Sequence, residues 1–112
     1  MNELTHRLAT GEHPVIMGGS SPSLEELRRR VAEIGYMSIK FTDTRGGTDL
    51  GFQLDTDATK FRDVDFDQPA GTLHVEGNLV LNDDPVRVIA DLDLETLNGT
   101  GRLVLLESEV AV

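Results

Sequence analysis

Cysteine and tryptophan are absent from this 112-residue chain, and the aromatic set is four phenylalanines and one tyrosine. Without cysteine there is no disulfide, no thiolate nucleophile and no Cys-ligated zinc or iron–sulfur centre. A core so poor in aromatics has to be built from Leu, Val and Ile. Long apolar runs are missing too, so no segment has the roughly 20 apolar residues a membrane-spanning helix needs. Met1 to Leu8 is too polar for a secretory signal, and a cytoplasmic location is the expectation. Basic residues are also scarce, ten Lys and Arg against twenty Asp and Glu.

The resulting net charge of −10 is unevenly placed. Residues 1–54 carry six basic and seven acidic residues, a net of −1, whereas residues 55–112 carry four and thirteen, a net of −9. That field disfavours direct contact with a nucleic-acid backbone or an anionic membrane. It suits a protein partner with a basic surface, or a cation.

The length accommodates one hydrophobic core, and residues 1–112 are expected to form a single α+β domain. Residues 1–20 read as a weakly structured segment. Within it, Asn2–Ala9 has the spacing of a short helical turn ended by Gly11, and Pro14–Met17 that of an edge strand. Ser23 and Glu26 form a capping box, with Ser21-Pro22 as a competing start. Leu24, Leu27, Val31 and Ile34 make an apolar stripe at helical spacing, and Gly35 suits a left-handed C-cap. Glu25–Arg29 and Glu26–Arg30 add favourable pairs four residues apart.

Strict alternation follows. Met37, Ile39 and Phe41 share one face, and after the turn centred on Arg45-Gly46-Gly47, Leu50, Phe52 and Leu54 resume it. Pairing Phe41 with Leu50 sends all six toward the helix. Residues 55–70 form an acidic connecting segment, either a loop or an added strand near Phe61–Phe66. A three-stranded meander ends the chain, with Leu73, Val75, Leu79 and Leu81 alternating against Val86, Val88, Ala90, Leu92 and Leu94. A tip at Asp83-Asp84 pairs Leu81 with Val86, and Asn98–Gly101 makes the next turn before Leu103 and Leu105. Gly77, then opposite Ala90, marks a thin spot where the helix approaches.

This reading gives one amphipathic helix on a mainly antiparallel sheet of five to six strands. The element order, a strand, a helix and then four or five antiparallel strands, resembles the cystatin-like architecture, in which a sheet wraps one helix. The resemblance implies a fold and brings no inhibitor motif with it.

The meander register has a chemical consequence. On the outer face His74 falls opposite Asp93 and Glu76 opposite Asp91, with Glu95 beyond and opposite Arg102. Directly opposed carboxylates call for a compensating cation, proton or partner. His74 and Asp93 are therefore the candidate catalytic pair, with a carboxylate raising the histidine pKa. His74, Glu76, Asp91 and Asp93 are weak candidates for a divalent cation. The same pattern also describes an acidic, solvent-facing strand with one incidental histidine. Asp63, Asp65 and Asp67 imitate the start of a calcium loop but lack its glycine and its closing glutamate, so no cofactor is expected. Arg28-Arg29-Arg30 reads as a solvated helix face, and Gly18-Gly19 and Gly46-Gly47 as turns.

Four apolar residues, Val80, Ile89, Val104 and Leu106, fall on the same outer face. With Asp91, Asp93 and Glu95 they define the expected partner-binding surface. The favoured function is a small acidic, non-catalytic accessory, regulatory or inhibitory protein that binds another protein through its C-terminal half. The alternatives are a small enzyme or metal/ligand-binding protein using the His74 cluster, and a homo-oligomer (in the simplest case a homodimer) closed through the apolar patch.

Overall fold

The structure, a computed structural model, describes residues 3–19, 23–44, 46–65, 70–81 and 84–106. Helix α1 (Glu3–Leu8) and strand β1 (His13–Met17) are followed by α2 (Leu24–Arg29), which runs into a π-helical turn over Arg30–Ile34. Six strands complete the chain: β2 (Tyr36–Phe41), β3 (Thr48–Gln53), β4 (Lys60–Asp65), β5 (Ala70–Leu81), β6 (Asp84–Asp93) and β7 (Asn98–Leu105). All seven belong to one antiparallel sheet in the order β3-β2-β1-β7-β6-β5-β4.

The α+β class and the terminal meander stand, but the sheet has seven strands rather than five or six. The helix-wrapping, cystatin-like arrangement is not what the chain adopts. Instead the sheet curls toward a barrel, and the chain leaving β3 returns to β5, where Asp55 N–H donates to the Glu76 carbonyl at 2.8 Å. The core lies on the concave face, where Met37, Ile39, Phe41 and Phe52 meet Leu73, Val75, Val88 and Leu92, all fully buried. All six residues expected to face a helix are buried, and they share one core cluster with Leu8 and Leu27 of the helices as well as with β5, β6 and β7.

The N-terminal segment is more ordered than its sequence implies. Leu8 and Thr5 of α1 are fully buried, and β1 is not an edge strand but sits between β2 and β7. Pro14 is tolerated there because it lacks only a donor, and its carbonyl accepts from Thr42 N–H at 3.1 Å. The connecting segment supplies β4, an edge strand with a bulge between Arg62 and Asp65. Phe66, Asp67 and Pro69 lie outside the described residues, as do Ser21-Pro22, Arg45 and the hairpin residues 82–83.

Both hairpin registers shift by two residues from expectation. Phe41 pairs with Thr48, not Leu50, because the turn tightens around Thr44, whose hydroxyl meets that of Thr48 at 2.7 Å and whose carbonyl accepts from Gly47 N–H. Leu81 pairs with Asp84 rather than Val86. Since side chains alternate with period two, a slip of two changes partners without changing faces. The inward set survived for that reason.

The meander's second turn lies at Leu94–Leu97, not Asn98–Gly101. Asp93 drives it: its carboxylate accepts Glu95 N–H at 2.8 Å, and Leu97 N–H closes on the Asp93 carbonyl at 2.7 Å. Gly77 lies opposite Val88, and the close neighbour is β3, not the helix. A β-carbon at position 77 would overlap the Gln53 carbonyl oxygen and the Phe52 ring. That glycine lets the sheet fold over itself.

Ser23 caps α2 as its sequence suggests, its hydroxyl accepting Glu26 N–H at 3.1 Å. The stripe is only partly sunk. Leu27 is fully buried, Leu24 and Val31 are half-buried, and Ile34 is 45% exposed. The π-turn explains the last: Gly35 N–H reaches back five residues to the Arg30 carbonyl at 2.7 Å, and the extra residue rotates Ile34 off the stripe. Ser23→Ala should cost about 1 kcal/mol, read as a lower urea midpoint with unchanged slope.

Candidate functional site: a clamped charge network on the outer sheet face

Outward-facing positions on β5 and β6 alternate with the core positions, so His74, Glu76, Asn78, Arg87, Ile89 and Asp91 share the convex side. The two-residue shift places His74 opposite Asp91 and Glu76 opposite Ile89. Asp93 lies opposite Thr72 and serves the Leu94–Leu97 turn, so pairing does not bring it to His74. Glu95 is exposed in that turn, and Arg102 faces Ile89 rather than Glu95.

His74 is held from both sides. Its Nδ1 lies 2.8 Å from an Asp91 carboxylate oxygen and its Nε2 2.7 Å from one of Glu76. Two carboxylates can both be satisfied only by a ring that donates from both nitrogens, the imidazolium. Burial pushes the histidine pKa down, but the bonds to Glu76 and Asp91 outweigh it and the net shift is upward. Glu76 is shifted down by the His74 bond, and Arg87 assists.

Arg87 is the cation that the sequence reading missed. Its Nε donates to Glu76 at 2.9 Å, and its two terminal amines donate to Asn78 at 3.0 Å and Asp55 at 2.6 Å. Asp55 consequently has a lowered pKa, caused first by the Arg87 bond. A continuous chain of charge, Asp91–His74–Glu76–Arg87–Asp55, thus ties β6 and β5 to the turn after β3. Parity alone placed Arg87 on this face. What hid it was the assumed register, which turned attention to opposed carboxylates.

Chemically, this arrangement is a clamp. Neither His74 nitrogen is left to accept a substrate proton or bind a metal ion. Among the described residues no group of three or more His, Asp and Glu side chains is arranged to hold a metal. Asp63 and Asp65 lie in β4, and Asp67 lies outside the described residues.

The expected apolar patch is graded. Val80 is 67% exposed, while Ile89, Val104 and Leu106 are half-buried. Ile89 sits between Glu76 and Arg102, and Val104 faces Arg87, so apolar and charged side chains interleave. No helix among the described residues is long and apolar enough to cross a membrane.

A second histidine cluster escaped the sequence reading. His13 Nδ1 lies 2.7 Å from Asp43, and its Nε2 faces the carbonyls of Arg7 at 2.9 Å and Thr10 at 3.0 Å. The Asp43 bond is the largest cause of its raised pKa. Thirty residues separate the partners, so no local pattern announces the pair.

A curled antiparallel sheet whose convex side chains are locked to one another describes a binding scaffold. The family comparison agrees. Residues 20–112 match the model of the core binding factor beta subunit, and the chain belongs to that family. The family is one of non-catalytic regulatory subunits that act by binding protein partners. No curated protein matches the chain significantly.

Proposed function

We propose that this protein is a non-catalytic regulatory subunit that binds a protein partner through the convex face of β5, β6 and β7. The observation that supports it most is the clamped network. It holds His74, Glu76, Arg87 and Asp91 in fixed positions on an open face beside Ile89 and Val104. A surface already ordered before binding loses little side-chain entropy on association. The partner would be a protein with a basic surface, drawn by Asp91, Asp93 and Glu95 and by the net charge of −9 over residues 55–112.

The test is affinity capture at low salt, comparing the native chain with a variant carrying Asp91→Asn, Asp93→Asn and Glu95→Gln. A partner held by the native chain should bind the triple variant about tenfold more weakly, and the difference should shrink as salt rises. Equal retention by both chains, or no retained protein, sinks this reading. The exposure of Val80 favours a second reading, a homo-oligomer closed through Val80, Ile89, Val104 and Leu106. Sedimentation should then show a dimer that Val80→Asp converts to a monomer.

A further inference from the structure

The clamp on the convex face occupies a carboxylate that a basic partner would seek. Asp91 stands in the cross-strand row His74–Asp91–Thr100, and one of its oxygens is taken by His74 Nδ1 at 2.8 Å. Among the described residues its side chain has no second partner. Asp93 is turned to the Glu95 N–H, and Glu95 stands exposed in the turn beyond. An ammonium or guanidinium that settles on Asp91 therefore meets a ring already bound there. If that ring is an imidazolium, the two cations repel across a single carboxylate.

The groups around the ring decide which way it gives. From β5, Glu76 faces Nε2 at 2.7 Å, and its other oxygen accepts Arg87 Nε from β6 at 2.9 Å. From β4, Lys60 pairs with His74, but its ammonium turns back to the Asp57 carbonyl at 3.2 Å. From β7 the residue in the row is Thr100, and Arg102 lies opposite Ile89. A neutral ring has one N–H, so it keeps one carboxylate and abandons the other. The Asp91 side chain is 39% exposed and that of Glu76 22%. Water replaces a lost bond more readily at the more exposed acceptor, so the remaining proton stays on Nε2 and Asp91 is released.

We infer that partner binding on this face is coupled to a proton: a basic side chain replaces the His74 Nδ1–H on Asp91, and that proton passes to solvent while Nε2–H stays on Glu76. One positive charge leaves as another arrives, so the face keeps its charge through the exchange. A basic partner is held weakly while the ring is protonated and more tightly once it is neutral. By reciprocity, the bound partner lowers the pH at which His74 titrates. The clamp raises the pKa of the free ring above 6.5, and the exchange accordingly extends above that pH. The coupling rests on the function proposed above, since it needs a basic partner at Asp91. His74 adds to that function a control that Asp93 and Glu95 alone would not supply.

Acetyl-hexalysine amide serves as the basic probe, titrated into the full chain at low, constant ionic strength. Between about pH 6 and 8.5 its own charge is fixed, because lysine titrates near 10.4. The dissociation constant should fall as pH rises, by no more than about tenfold per pH unit for one proton, and level off once free His74 is neutral. In the same samples the His74 ring resonances should titrate at lower pH with the peptide than without it. His74→Gln, which has no proton to release, should bind with an affinity independent of pH. Asp91→Asn should lose the pH dependence too and bind more weakly than the native chain at pH 8.5. A chain that binds the peptide with an unmoved His74 titration overturns the coupling and leaves the binding face standing. Affinity that rises with pH equally in the native and His74→Gln chains assigns the effect to another group and also overturns it. No peptide binding at any pH removes the acidic binding face itself, and the coupling with it.

Discussion

An alanine at position 99 should lower the stability of this protein by about 3 kcal/mol or more, the upper range for overpacking a close-packed site. Gly99 looks like a turn residue in sequence, yet it sits in β7, paired with Leu92 on one side and Val15 on the other. A β-carbon there would overlap the Asp91 carbonyl oxygen and approach Leu92 Cα at 3.2 Å. Both are backbone atoms of the neighbouring strand, which cannot rotate away. Relief requires β6 and β7 to separate at the centre of the sheet. At roughly 4 °C per kcal/mol the melting temperature should fall by about 10 °C or more.

Gly101→Ala supplies the contrast. Its added carbon would lie 3.1 Å from Ala90 Cβ and Val15 Cγ1 and 3.3 Å from the Ile89 carbonyl oxygen, tight contacts rather than overlaps, and the Val15 methyl can rotate to ease its own. The loss at 101 should therefore be smaller. Urea unfolding of the two variants decides the matter, and a Gly99→Ala chain within about 1 kcal/mol of the native one would contradict the strand pairing described here.

The second large effect is the dependence of stability on pH. His13 and His74 both have pKa values raised above their ordinary 6.5. Their contribution is therefore whole below about pH 6.5 and is lost as pH rises through the folded-state values. Glu76 and Asp55 lie below their ordinary 4.5 and 3.8, so their contribution is present above those values and is lost as pH falls further. Stability should peak between these limits and decline on the alkaline side at a pH unusually close to neutral.

The alkaline decline should begin at the N-terminus. A neutral His13 has one N–H for three acceptors, Asp43 and the carbonyls of Arg7 and Thr10. One side of the ring must then lose its bond, loosening α1 from the loop after β2, where Arg7 also donates to the Asp43 carbonyl at 2.7 Å. Amide exchange over residues 3–10, corrected for its intrinsic pH dependence, should accelerate before that of β5 and β6. His13→Leu leaves the facing Asp43 oxygen and the Thr10 carbonyl without the ring as donor, while the Arg7 carbonyl keeps only Thr10 N–H at 3.2 Å, and the other Asp43 oxygen is already buried without a partner. It should cost about 3 kcal/mol and remove much of the alkaline decline. A native urea midpoint that stays flat between about pH 6 and 9 would show that neither histidine is held as an imidazolium.

The sequence by itself determined which side chains look inward, because alternation has period two and the hydrophobic pattern is strict over Met37–Phe41, Leu50–Leu54, Leu73–Leu79 and Val86–Leu92. It also determined the Ser23 cap and the Gly35 stop, which depend on bonds spanning a few residues. Partners across the strands were left to the tertiary structure, since a slip of two residues preserves every face and leaves the inward pattern unchanged. The same choice set the site. It gave His74 to Asp91 and let Arg87 reach Glu76 and Asp55, a juxtaposition across 32 residues that no local pattern encodes. Closure of the sheet at Gly77 and the central place of β1 were likewise decided by long-range packing, because each depends on how far the sheet curls.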